Sequence, residues 1–587
     1  MGRGAVEACR PVDNMSYAES SRCIDAFAVA LSQACEAGEN RWYTSTLDLQ
    51  LVALELCRAC RSTLVFNVRV DDRTPRSLWS PPESGREAPP NATMPGICVP
   101  SRVPVVRALD LTWTLPVEVL LRGAAVELWT GSTVLRLQGC LHEASLRSVV
   151  WPKRLKHLEL DGWVEIPSGD DLPPWPHSLR SLRVESFDQV RVVAGVVAWP
   201  ASLRKLSFGR SFTRPVTEVA WPGSLQELCL GDGFNQPVVG VDWPALQRLS
   251  FGDEFNQAVA GAAWPTSLEQ LSFGYAFNRP IDGVEWPPFL QQLSFGTDFD
   301  QPIVGVAWPA CLRRLSFGYW FNQPVIGVIW PAFLEELSFG RKFNRSIAGI
   351  AWPASPQRLR FGRDFNQPLD GVLWPPFLRQ LTFGAKFNQP VAAVVWPTSL
   401  QQVSFGRTFN VPIAEVEWPD GLLKLSFGAE FNQPIEGVTW PTSVTELSFG
   451  SRFAQPIRGV LWPASLKRLS FGYFFDQPIA GVAWPASLQD LAFGFYFNHP
   501  VAGVVWPTSL RQLSFGALFN QPIARVVWPG SLQQLTFGRW FNHPIAGTVW
   551  PGSLRQLSFG ALFDQPIAGI VWPASLKSIT RKGASLI

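Results

Sequence analysis

The chain has 587 residues, 47% hydrophobic and 17% charged, with a formal net charge of +3. That is long and apolar enough for a large core and excludes a disordered polyelectrolyte. So small a positive excess argues against broad electrostatic capture of nucleic acid or an anionic membrane.

Residues 1–70 read as a helical N-terminal region. Ser20 and Ser21 offer an N-cap to a segment running to Ala37, and LDLQLVALELCRACR supplies a second apolar-periodic run. The opening MGRGAVEACR lacks an apolar core of signal-peptide length, and Val6 stands where a myristoylation signal wants Ser or Thr. No apolar stretch is long enough to span a bilayer, so the expected location is cytoplasmic, away from membranes. Residues 71–104, rich in Pro, Arg, Ser and Gly, predict a flexible linker. Cys57-x-x-Cys60 would make half a zinc site, but no second CxxC follows and no His precedes His142. Reduced thiols are expected, with no metal and no cofactor.

From residue 105 the chain repeats itself. Residues 105–198 do so imperfectly, in ALDL, VELW, VLRL, RLKHLEL and SLRSLRV, and are expected to form an N-terminal cap. Residues 199–576 do so strictly. Eighteen Trp-Pro pairs run from Trp199 to Trp572, sixteen steps of 22 residues and one of 21, the short step falling in WPALQRL. Residues 577–587 are a brief polar tail.

Self-similarity at this period means a solenoid in which each unit buries its apolar face against the next. In Leu203-Arg-Lys-Leu206-Ser-Phe208-Gly209, Leu206 and Phe208 fall on one face and Lys205 and Ser207 on the other, the alternation of a short half-buried strand. Gly209 is expected to let the chain turn. Prolines such as Pro215 and Pro222 leave no room for an α-helix on the return limb. Stacked coils would pair their strands in parallel, about 4.8 Å apart. The Phe column from Phe208 to Phe559 becomes an internal spine, interrupted by Leu230, and each Trp, if buried, needs a backbone partner for its indole N–H. The residue after the second Phe is Asn in twelve of seventeen copies, Asp at 300, 476 and 564, Thr at 213 and Ala at 454. This predicts a buried column whose amides satisfy turn backbone in neighbouring coils.

The string FNQPI, set between SLxxLSFG units, resembles the FNIP repeat, a variant of the leucine-rich repeat, over residues 199–576. The chain departs from that pattern in writing Trp-Pro where the family usually has Leu-Pro. The resemblance implies a curved, leucine-rich-repeat-like horseshoe with short parallel strands, used as an interaction scaffold. Family members often carry an F-box or kinase module beside the repeats. No kinase motif is present, and Leu115-Pro-Val-Glu-Val-Leu-Leu matches only the start of an F-box.

Catalysis finds no foothold: HExxH, GxSxG and P-loop patterns are all missing. His499 and His543 replace Gln in the FNxP slot and read as structural. The expectation is a protein that is not an enzyme.

Two residues between Phe-Gly and Phe-Asn vary freely between copies. They are placed at the strand exit, where the concave face meets the rim. A basic stretch, Arg341, Lys342, Arg363, Lys386 and Arg407, precedes an aromatic one, Tyr473, Phe474, Phe495, Tyr496, Leu518, Arg539 and Trp540. Positions released from the fold are free to bind, and aromatics with arginine suit protein-binding hot spots. The competing reading has these rings merely packing on one another along the rim. The expected function is therefore a protein-binding scaffold, with no nucleic-acid partner. The alternatives are a ubiquitin-ligase substrate adaptor recruiting through residues 1–70, and an extracellular glycan-binding module.

Overall fold

The computed structural model describes residues 199–581 apart from residue 218, together with 67–69, 110–112, 133–138, 151, 154–163, 175–186 and 584–585. Nearly all of the expected helical region and the whole linker lie outside these residues. Asn67–Arg69, at the end of that region, is a strand, paired in parallel with Asp110–Thr112. The chain divides into two compact units, Met1–Lys205 and Leu206–Ile587. In the first, Val134–Gln138, His157–Trp163 and Ser181–Ser186 pair in parallel, the degenerate repeats among them.

The second unit contributes one short strand per turn and, among the described residues, no α-helix. Gln512–Ser514 is typical: Leu513 points inward while Gln512 and Ser514 face out, so three residues of alternating character suffice for one rung. Arg511 and Gln512 N–H both donate to the Gln489 carbonyl of the preceding turn, at 2.7 and 2.9 Å. Phe515 N–H donates to the Thr536 carbonyl of the following turn at 2.9 Å. The ladder is parallel and in register from Glu227 to Arg581.

The return limb is extended chain punctuated by turns, as the prolines require. Leu510 N–H reaches the Pro507 carbonyl at 3.1 Å and Val504 N–H the Val501 carbonyl at 3.3 Å, the latter around Gly503 at φ 79°. That glycine supplies the left-handed conformation. The glycine after the Phe is needed for a different reason from the one expected. A Cβ on Gly494 would sit 1.6 Å from the carbonyl oxygen of Gly472, so this column exists because successive turns touch backbone to backbone.

The core is a set of columns. Phe497 is fully buried, and its ring stacks on Phe475 and Phe519 at 6.2 and 6.0 Å and on Phe493 of its own turn at 4.2 Å. Burying each such ring is worth about 1.5–3 kcal/mol, to which stacking adds roughly 0.5–1.5 kcal/mol. Spacing grows outward from the strands, which lie about 4.8 Å apart. The Phe493–Phe515 rings are 5.8 Å apart and the Trp506–Trp528 rings 6.3 Å. The turns of this unit therefore fan out, with the strands on the inner arc.

Two expectations need correction. The Asn column is not buried: Asn235, Asn344, Asn388, Asn410, Asn498 and Asn520 are exposed and its other asparagines half-buried. It is nonetheless a ladder, because Oδ1 of each member accepts from the backbone N–H of the next, as between Asn410 and Asn432 at 2.8 Å. Only the acceptor oxygen is used on that side, which is why Asp300 and Asp476 serve equally. Second, the indole nitrogens of the Trp-Pro tryptophans from Trp151 to Trp550 are buried without a hydrogen-bond partner among the described residues. The rings are held instead by stacking and by edge-on contact with Phe, as between Trp506 and Phe515 at 6.4 Å and 79°.

The 21-residue step is absorbed locally. Leu246 N–H bonds to the Pro244 carbonyl at 2.6 Å, a tighter turn than elsewhere. The strand Arg248–Ser250 still pairs in register on both sides.

Candidate functional site

Each variable dipeptide occupies the turn closed by the Phe N–H onto the Gly carbonyl, 3.3 Å for Phe497 and Gly494. A second backbone ladder runs here. Phe474 N–H donates to the Ser451 carbonyl at 2.7 Å, Tyr496 to Tyr473 at 3.0 Å, Leu518 to Phe495 at 2.9 Å and Trp540 to Ala517 at 2.8 Å. Backbone bonds thus align dipeptides of successive turns, and their side chains have to stack.

Tyr473 lies flat on Phe495 at 4.6 Å and 17°, and Phe474 on Tyr496 at 5.2 Å and 15°. Tyr473 and Tyr496 meet edge-on at 5.3 Å. The rings pack on one another, yet Tyr473, Phe474 and Tyr496 remain 43%, 46% and 39% exposed. Leu518 is half-buried beside this cluster's C-terminal flank, and Arg539 and the 51% exposed Trp540 stand one turn further on.

The basic stretch is more ordered than the sequence implied. Arg341 lies over the Tyr319 ring at 4.8 Å and Lys342 over Trp320 at 5.3 Å. Asp364, between turns, is held by Lys342 at 3.2 Å and Lys386 at 3.1 Å. Burial pushes its carboxyl up, but hydrogen bonds and charge from the two lysines outweigh this and leave the pKa below the ordinary value. These residues, with Asn322, Asn344, Asn366, Asn388 and Thr408, line a hollow of about 590 Å³. Arg363 is exposed and, among the described residues, has no carboxylate within ion-pair distance, while Arg407 reaches Glu430 at 3.7 Å.

The strand face also carries structure that repeat-by-repeat reading missed. Lys424, Glu446, Arg468 and Asp490 form a chain of ion pairs at 3.0, 2.8 and 3.4 Å across four strands, followed by uncharged Gln512 and Gln534. A hollow of about 450 Å³ overlies these strands. Burial, only partly offset by Arg468 and Arg511, pushes Asp490 up. Reading the same slot down the 22-residue period would have shown the alternating signs. Glu336 with Arg314, Arg358 and Arg360 repeats the motif five turns earlier.

A third surface escaped sequence reading. The residue before Trp is a strongly exposed aliphatic in successive C-terminal turns, with Val505, Val527, Val549 and Val571 80–88% exposed. His499 and His543 hold the Gln role expected of them, their Nε2 atoms 3.1 and 3.0 Å from the carbonyls of Asp476 and Asn520. Among the described residues no group of three or more His, Cys, Asp or Glu is placed to hold a metal ion, and no helix is long and apolar enough to cross a membrane.

The FNIP Repeat family profile matches residues 365–408, 409–452, 431–474, 497–539 and 541–580. Among solved structures, CroV588, described as a novel circular leucine-rich-repeat protein, is 30% identical at a TM-score of 0.59, over 81% of this chain and 82% of that one. Fainter likenesses are to a TLR13–ssRNA13 complex (13% identity, TM-score 0.47, 82% and 78% covered) and an internalin from Listeria monocytogenes (14%, 0.31, 60% and 93%). No curated protein matches the sequence. With twenty-two-residue turns, a parallel strand ladder and paired Phe columns, this chain belongs to the FNIP-repeat family of leucine-rich-repeat-like solenoids.

Proposed function

We propose that this chain is a non-catalytic scaffold that binds a protein partner along the strand face and the C-terminal rim of the Leu206–Ile587 unit. The observation that carries this reading is the ring cluster Tyr473, Phe474, Phe495 and Tyr496. It is locked by mutual stacking on a backbone ladder while keeping about two-fifths of three of its rings in solvent. Rings fixed in advance lose little side-chain entropy on binding, the property of an interface anchor. Leu518, Arg539 and Trp540 extend the anchor by two turns, and the ion-paired strand face from Lys424 to Asp490 offers a polar bed beside it. The adaptor alternative depends on residues 1–70, nearly all outside the described residues, and no observation favours it or the glycan reading.

The test is photo-crosslinking in native lysate, with the crosslinker at Arg539 or, as control, at Val527 on the Trp side. It is repeated, with the crosslinker kept at Arg539, in a variant with Tyr473, Phe474, Phe495, Tyr496 and Trp540 changed to Ser. A defined protein captured from Arg539 and lost in the variant, with unchanged thermal unfolding, supports the scaffold. Capture that ignores the five substitutions, or no protein adduct at all, sinks it.

A further inference from the structure

The central rim carries a charge pattern of its own. Over four turns it presents Arg341, Lys342, Arg363, Lys386 and Arg407 against the single carboxylate of Asp364, in a chain whose formal net charge is only +3. The strip is bounded, since Asp298 precedes Tyr319 and Glu430 follows Arg407 in the equivalent turns. We propose that this strip holds an extended acidic peptide segment of a protein partner, laid along the unit's axis with carboxylates on alternate residues. The proposal rests on the scaffold reading and names the chemistry of one of its partners.

Three observations carry it. The first is pitch. The Phe rings beneath this strip repeat every 6.1 Å from Phe321 to Phe409. Residues i and i+2 of an extended chain point the same way about 6.6–6.8 Å apart. Carboxylates on alternate residues would therefore keep step with the turns and meet Arg341, Arg363 and Arg407 on the first, second and fourth of the four turns available. The second is that the rim already accommodates a carboxylate between turns, Asp364 lying between Lys342 and Lys386 at 3.2 and 3.1 Å. Those lysines are thereby committed, leaving Arg341 and Arg363, among the described residues, without a carboxylate and Arg407 with a distant one. Arginine is also the side chain that pairs bidentately with carboxylates. The third concerns the rings at the strip's N-terminal end. Tyr319 and Trp320 each have a face covered by Arg341 or Lys342, which suits a flanking apolar residue better than the open stacking platform a single-stranded nucleic acid needs.

Fluorescence anisotropy of the full chain at about 0.1 M salt tests this, a concentration at which exposed charges are screened beyond about 10 Å. The probes are a labelled peptide of six Glu-Thr pairs, a peptide of the same composition with six Thr before six Glu, and a twelve-nucleotide oligothymidylate. The alternating peptide should bind about tenfold more tightly than the block peptide and the oligonucleotide. R341Q/R363Q/R407Q, which leaves the Lys–Asp–Lys clamp intact, should erase the preference, whereas the five-Ser ring variant should not. Equal binding of both peptides, tighter binding of the oligonucleotide, indifference to the three Gln substitutions, or no saturable binding would each overturn the proposal. Any of these together with ring-dependent capture of a protein would leave the scaffold reading standing; retained peptide binding without such capture would do the reverse.

Discussion

The backbone N–H of Asn498 donates to Oδ1 of Asp476, one turn earlier, at 3.0 Å. The same bond recurs down the rim wherever the preceding turn offers an amide or carboxylate oxygen, and it fails where Ala454 offers none. Ala454→Asn should therefore stabilise the array by about 0.5–1.5 kcal/mol, the usual net worth of a hydrogen bond. Asn432→Ala should cost a similar amount and Asn432→Asp much less. Hydrogen exchange at residues 454 and 476 reads both, and equal protection in all variants would show that the ladder contributes nothing.

Two glycines nine residues apart should respond differently to the same methyl group. Gly494→Ala drives a Cβ into the Gly472 carbonyl at 1.6 Å and must separate two turns. Gly503 has open space around it and only its φ of 79° to lose, so Gly503→Ala costs about 1 kcal/mol. Thermal unfolding should show a large drop for the first and a small one for the second; comparable drops would contradict the backbone contact.

Core position along the array also matters. Phe497 has stacked neighbours on both sides, whereas Phe563 has Phe541 at 5.9 Å on one side and the Arg581 guanidinium at 5.6 Å. In a nearest-neighbour array an interior lesion weakens two interfaces and a terminal one mainly one. Phe497→Ala should cost about 3–5 kcal/mol, and Phe563→Ala distinctly less in the same denaturant titration. Trp506→Phe removes an indole N–H that bonds nothing, so it should cost ring volume alone and less than either.

Asp364 and Asp490 should pull acid stability in opposite directions. The Asp364 pKa is lowered in the fold, so its contribution is present above the unfolded value near 3.9 and is lost as pH falls through the lower folded value. Burial raises Asp490, so its contribution is present below the unfolded value and is lost as pH rises through the higher folded one. Asp364→Asn should thus lower the melting temperature at pH 7 and converge with the parent as pH falls below the lowered folded pKa. Asp490→Asn should raise it at pH 7 and likewise converge with the parent in acid. Parallel pH profiles for the two variants would contradict the assignment.

The period of Trp-Pro and the alternation in LSF were enough to place strands, core columns and the absence of room for helix, because burial within one coil is written in local spacing. Relations between coils were harder to read. Gly494 gave no sign that its lost side chain makes way for Gly472, since a contact 22 residues away leaves no local pattern. The Asn column read as buried because its regularity resembles that of the core, whereas its role needs only one acceptor facing the next turn. Conversely, the aromatic rim was visible at Phe495-Tyr496 because departures from a strict repeat stand out. The Lys342–Asp364–Lys386 clamp was not, being spread over three copies.

The short turn at Pro244–Leu246 has a practical corollary. One residue is missing there, and the deficit is absorbed within a single hydrogen bond while the neighbouring rungs keep their partners. The segment after Trp-Pro is thus the array's expansion joint, and foreign sequence grafted after residue 530 or 552, at glycines with open space around them, would be tolerated where the same graft beside Gly494 would split the stack.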